Sequence, residues 1–201
     1  KNKFQKIKID TGNLILSEAK RKKNKGKRKK ILFAVTLKNF FNIQLLGVEM
    51  YYEFLDNLKF LNNLSKKNDL DIYVKPHPSA KDNLNDLSSL FPHLKFTNDK
   101  IDKVLSKVDL TISFSSTVIE DSLNSLVPVI LFDRWKRYQH CRAEKNYNKK
   151  NASIYYINDK KNLLNCINTI YKSDKIFSKR NIFEGKSSNN LSSFLNKIEF
   201  K

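Results

Sequence analysis

Short, unbroken apolar runs set between stretches of helical spacing are what most restrict the folds open to this chain. The longest are Ile31 to Val35 and Val127 to Phe132. Each is the length of one strand, far below the roughly 18 or more residues needed to span a bilayer. Neither alternates polar with apolar, which is how a strand reads when both faces of its sheet are covered.

The remaining pattern fits that reading. Ile31 to Thr36 is the first predicted strand. From Gly47 to about Asn68 the spacing turns helical, with Val48, Tyr51, Tyr52, Leu55, Leu58 and Leu61 on the predicted apolar side. A strand at Asp71 to Lys75, a weak helix near Leu84 to Leu90, a strand at Leu94 to Phe96 and a helix at Ile101 to Lys107 follow. Then come a strand at Leu110 to Phe114, a helix at Ser116 to Leu126 and a strand at Val129 to Phe132, opened by Pro128. Ser153 to Ile157 and Lys160 to Tyr171 form the last strand and helix. Strands alternating with helices predict an α/β fold: a Rossmann-like parallel sheet with helices on both faces, binding its ligand beyond the carboxyl ends of the strands.

Charge marks the domain limits. The 201 residues carry 39 Lys and Arg against 20 Asp and Glu, a net charge of +19. Lys1 to Lys30 contributes +11 of it, and nine of the eleven residues from Lys20 to Lys30 are basic with none apolar. Such a run repels itself and stays solvated. We therefore expect residues 1–30 to be a basic linker and the end of a preceding N-terminal domain, 31–175 to be the folded domain, and 176–201 to be a C-terminal tail in helical form. Nine cations also suffice electrostatically for peripheral contact with an anionic membrane surface on the cytoplasmic side. Nucleic acid is the less favoured partner, since neither an RRM aromatic motif nor zinc-finger spacing is present. Two cysteines, Cys141 and Cys166, do not make a disulfide framework and fit a reducing cytoplasm. The four glycines are too scattered for G-x-G-x-x-G or a P-loop. No metal site is expected: Asp69-Leu70-Asp71 spells D-x-D but precedes a strand, and His77, His93 and His140 lack ligand spacing.

Two loops carry chemistry. In Lys75-Pro76-His77-Pro78, at the end of the second strand, two prolines hold His77 in a rigid extended segment, where its imidazole can face an anion. In Ser113-Phe114-Ser115-Ser116-Thr117, four hydroxyl residues fall in five positions between a buried strand and a helix. Ser115 or Ser116 is expected to cap that helix, leaving first-turn N–H groups for a phosphate.

Together, a K-P-H-P loop, a Ser-Ser turn some forty residues on, a helix with an early acid and a Pro-Val-Ile strand resemble the donor-binding, C-terminal half of GT-B-fold glycosyltransferases. Within that fold the stretch Ser115 to Ile130 resembles the bacterial capsule and surface-polysaccharide enzymes. These include the CDP-glycerol glycerophosphotransferases and the sialyl- and polysialyltransferase types. Thr11-Gly12-Asn13 resembles the T-G-N that often closes their N-terminal half.

The resemblance implies a donor domain for a CMP- or CDP-activated sugar or polyol, needing no cofactor and acting on a polysaccharide or lipid-linked acceptor. His77 would stabilise the departing phosphate, with Ser115, Ser116, Thr117 and Lys75 binding it. Asp121 would bond the ribose, with Glu120 the alternative. Apart from the resemblance, the basic and aromatic stretch Asp133 to His140 follows the Val129 to Phe132 strand and so shares the ligand face, which makes Arg137, Tyr138 and His140 candidate donor or acceptor contacts. The general base would come from the N-terminal half, so this chain alone is not expected to complete catalysis. The departures are Leu126, where a glycine is common, and Asp121, one methylene shorter than the usual Glu. A nucleotide-sugar 2-epimerase shares the architecture and a His-Pro loop and is the nearest rival.

Overall fold

The computed structural model describes residues 28–35, 45–76, 84–136, 139–150 and 152–172. The T-G-N segment, the basic run up to residue 27, His77, Arg137, Tyr138 and the C-terminal tail lie outside them. Six strands and five helices alternate: β1 (Lys29–Ala34), α1 (Leu45–Lys67), β2 (Leu70–Lys75), α2 (Leu84–Leu90), β3 (Leu94–Phe96), α3 (Ile101–Leu105), β4 (Leu110–Ser113), α4 (Val118–Asn124), β5 (Val129–Phe132), β6 (Ile154–Ile157) and α5 (Lys160–Tyr171). All pairings are parallel, in the order β3-β2-β1-β4-β5-β6. The chain builds outward from β1 to β3, then returns to the other side of β1 and builds outward again. That reversal places a crevice between the carboxyl ends of β1 and β4.

Burial explains the apolar runs. Successive strand residues face opposite sides, so Ile31 and Phe33 join the core under α1 and α5 while Leu32 and Ala34 join the one under α3. The central strands β4 and β5 are buried at every position, whereas β2 and β6 alternate buried with half-buried. Each fully buried aliphatic side chain stabilises the fold by about 1.5–3 kcal/mol. In α5, Leu163, Cys166, Ile167 and Ile170 form the inward stripe, and Asp159 caps the helix by accepting from the Lys161 N–H.

Three expectations need correction. α1 buries Phe54, Leu58, Leu61 and Leu64, and Tyr52 is 63% exposed. The stripe starting at Phe54 keeps the 3–4 spacing through Ser65, which puts Tyr52 nearly opposite it. β1 begins at Lys29, inside the basic run: Lys29 Nζ donates to Asn168 Oδ1 at 2.7 Å and lies 5.1 Å from the Tyr171 ring centre. α4 is shorter than the predicted Ser116 to Leu126. It closes with Leu126 at φ 58°, where the Val127 N–H returns to Ser122 O and the Leu126 N–H to Leu123 O. This is a Schellman closure in which leucine takes the left-handed position glycine fills at least cost.

Between β5 and β6 a long loop is fastened at several points. Tyr156 donates to Asp133 Oδ2 at 2.9 Å, and Arg134 pairs with Asp56 on α1, which Lys160 also reaches at 3.1 Å. Glu144 forms a parallel bridge with Tyr155 on the outer side of β6, covering part of that edge.

Candidate donor site at the strand reversal

A cavity of about 590 Å³ opens at the carboxyl end of the sheet. Ala34 and Val35 line it from the end of β1, Lys75 and Pro76 from the end of β2, residues 98–102 from the β3–α3 loop, and Ser116, Thr117, Val118 and Asp121 from the start of α4. It therefore sits where a doubly wound sheet binds its ligands.

Ser113 is fully buried and donates its hydroxyl to Ala34 O at 3.1 Å, joining β4 to β1 at the reversal. One of the four hydroxyls of the Ser-Phe-Ser-Ser-Thr turn thus belongs to the sheet. Behind α4, Ser122 donates to Val118 O at 2.6 Å, so the 2.8 Å contact between Thr111 and Ser122 has Thr111 as donor. These bonds fix α4 against β4 without using glycine.

Ser116 is the cap. Its Oγ accepts from the Val118 N–H at 3.3 Å, and its carbonyl accepts from the Ile119 N–H at 3.0 Å. Thr117 is already helical, with φ −60° and ψ −16°. Two first-turn N–H groups that the sequence left for a phosphate are therefore engaged within the turn. Lys75, Ser116 and Thr117 line the cavity, and their side chains are an ammonium and two hydroxyls that can donate.

The two adjacent acids separate. Asp121 lines the cavity. Glu120 points to the long loop, where its Oε1 lies 3.0 Å from His140 Nε2, while its Oε2 is buried without a hydrogen-bond partner. His140 is thereby held on α4, and burial together with the Glu120 charge pushes the neighbouring Cys141 thiol up. Ser115 does not line the cavity. His77 directly follows Pro76, a wall residue, but is itself outside the described residues, as are Arg137 and Tyr138.

The β3–α3 loop is the part sequence reasoning missed. It brings Asn98, Asp99, Lys100, Ile101 and Asp102 to the cavity. Asp99 is neutralised by Lys103 at 2.8 Å and Lys107 at 3.4 Å, and their bonds and charges, against a smaller opposing effect of desolvation, hold its carboxyl below the usual range. The only signal in the sequence was position: this loop follows the carboxyl end of a strand.

The D-x-D segment lies at the other end of the sheet. Asp71 is paired there with Arg28 at 2.9 Å and Lys95 at 3.1 Å. Among the described residues there is no cluster of three or more His, Cys, Asp or Glu able to hold a metal, and no helix long and apolar enough to cross a membrane.

No curated protein matches the chain. Among solved structures, the UDP-GlcNAc 2-epimerase of Methanocaldococcus jannaschii aligns with a TM-score of 0.54 at 15% identity, covering 84% of this chain and 45% of that one. The same enzyme in complex with UDP-GlcNAc and UDP gives 0.53 at 15%, covering 84% and 46%. TarM gives 0.50 at 18%, covering 90% and 36%. The likeness is one of fold, a Rossmann-like sheet resembling one half of a GT-B fold, and this chain spans less than half the length of each. The family described as LIC12162 family transferase matches residues 3–173. With its parallel sheet and its cavity at the strand reversal, the chain belongs to that family of transferases.

Proposed function

We propose that this chain is the donor-binding half of a glycosyltransferase or glycerophosphotransferase of surface-polysaccharide synthesis. Its donor is a nucleotide-activated sugar or polyol, CMP- or CDP-linked. The observation that carries this is one cavity combining a cation, two hydroxyls and a carboxylate, Lys75, Ser116, Thr117 and Asp121, in a chain of a transferase family. A nucleotide diphosphate needs cationic and hydroxyl donors for its phosphates and a carboxylate acceptor for its ribose hydroxyls. A structure of the same fold is described in complex with UDP-GlcNAc and UDP, which supports a nucleotide-sugar ligand.

In this reading Lys75, Ser116 and Thr117 surround the donor phosphate, with Ser115 beside them and His77 following on the same loop. They stabilise the charge that grows on the departing nucleotide, and aimed donors in a site shielded from water are effective at this. No cofactor is required for that step. Asp121 accepts from the ribose, in preference to Glu120, which His140 occupies. Arg137, Tyr138 and His140 are the candidates on the long loop for contact with donor or acceptor. The acceptor is a polysaccharide or lipid-linked hydroxyl, and the base that deprotonates it comes from an N-terminal half. The basic run before β1 serves as linker and as peripheral contact with an anionic membrane face.

Calorimetry of the chain with CMP, CDP, UDP and GDP tests the reading. The expected result is preferential binding of CMP or CDP, weakened on the order of 10-fold by Ser116→Ala or Asp121→Ala. Binding of none of the four would sink the donor site. Epimerised nucleotide sugar formed without acceptor would replace the transferase reading with an epimerase.

A further inference from the structure

A second cleft, of about 780 Å³, opens at the amino end of the sheet, away from the donor cavity. Arg28, Lys66, Lys67 and Lys95 line it against Asp69 and Asp71, a surplus of two positive charges from these six side chains. We propose that this cleft binds a multivalent phosphate-bearing anion.

The walls are held before any ligand arrives. Asp71 fixes both Arg28 and Lys95, and Arg28 also donates to Leu70 O at 3.0 Å. The buried Ser65 hydroxyl lies 2.8 Å from Leu70 O and 3.0 Å from His93 O, and the His93 N–H donates to Asn62 Oδ1 at 2.9 Å. The end of α1 and the turn before β3 are therefore tied into one rigid rim. Lys66 and Lys67 are exposed on that rim and make no ion pair among the described residues.

The lining selects the ligand's chemistry. No Phe, Tyr, Trp, Leu, Ile or Val lines the cleft, so neither base stacking nor acyl-chain burial is available, and the attraction is to charge. A phosphate monoester carries nearly two charges where a carboxylate carries one. Lysine meets phosphate as a mobile point charge, without the planar fit arginine demands. A run of phosphates matches several ammonium groups spread over a cleft of this size. The inference is independent of the nucleotide reading, because the two cavities share no residue.

The test uses the full chain with inorganic tripolyphosphate as probe, by calorimetry at about 50 and 200 mM salt. We expect binding that weakens on the order of 10-fold with the rise in salt and again in the K66Q/K67Q/K95Q variant. Thermal melting should confirm that the triple variant is folded. Absence of binding to the unaltered chain, or full binding in the triple lysine variant, would overturn the proposal. So would a preference for a single-stranded oligonucleotide over polyphosphate of equal charge. Sedimentation with anionic phospholipid vesicles separates the sources. Co-sedimentation lost in the triple variant supports a lipid headgroup as the anion, and tripolyphosphate binding without co-sedimentation supports a soluble one.

Discussion

At the carboxyl ends of the strands, Lys75, Ser116, Thr117 and Asp121 line one cavity, with Asp99 paired to Lys103 and Glu120 to His140 around it. At the amino ends, Arg28 and Lys95 are matched to Asp71, and Lys66 and Lys67 stand beyond them on the rim. The same residue types serve both ends. The first has mixed donors and acceptors suited to a ligand with both phosphates and sugar hydroxyls; the second has a surplus of one sign, suited to charge alone. Position along a parallel sheet, more than composition, separates the two.

The largest effect that could break this contrast is on ligand affinity. Removing both Ser116 and Asp121 side chains should weaken nucleotide binding by about 100-fold, at 1.5 kcal/mol or so for each bond to a charged partner. K66Q/K67Q should leave nucleotide binding within about 2-fold. Equal losses in both variants would mean the two ends are not separate sites. Next comes the tie between β4 and β1: Ser113→Ala leaves Ala34 O without that buried donor, which should cost about 1–3 kcal/mol in urea unfolding with an unchanged slope.

The Tyr156–Asp133 bond at the end of β5 has a pH signature. Burial first, then the bond to Asp133 and its charge, pushes the Tyr156 hydroxyl from 10.0 up to about 12. A raised folded-state value means the folded state holds the proton more tightly, so this contribution is complete below about pH 10 and disappears as pH rises through about 12. Urea midpoints measured across that window should fall more steeply for the unaltered chain than for Tyr156→Phe. At the amino end, Asp71→Ala leaves Arg28 and Lys95 facing each other. Because both are about half exposed, the loss should stay near or below 1 kcal/mol and shrink with added salt. The smallest change is expected for Leu126→Gly, within about 0.5 kcal/mol, since relief at φ 58° offsets lost packing and a freer unfolded chain.

Strand and helix order were legible because burial on two faces demands continuous apolar runs, as at Ile31 to Ala34 and Val129 to Phe132. The helix stripe of α1 was misread because Tyr52 is apolar enough to count toward a face that the sheet does not cover. Lys75, Ser116, Thr117 and Asp121, singled out by their place at strand ends and a helix start, line the cavity. The cavity wall from the β3–α3 loop was not among the candidates, since Asn98 to Lys100 reads as an ordinary polar connection until the fold brings it to the cavity with the ends of β1 and β2.

By itself the sequence determined the class of fold, the location of the basic excess and the two loops at strand carboxyl ends. Each follows from local properties, namely period, hydropathy and turn chemistry. Only the tertiary structure decided that Asp121 faces the cavity while Glu120 meets His140, that Ser113 belongs to the sheet, and that Asp71 sits with Arg28 and Lys95 at the far end. Adjacent residues on a helix point about 100° apart. Which of two neighbouring acids meets a ligand therefore depends on what the rest of the chain packs against each side, and that information is not local.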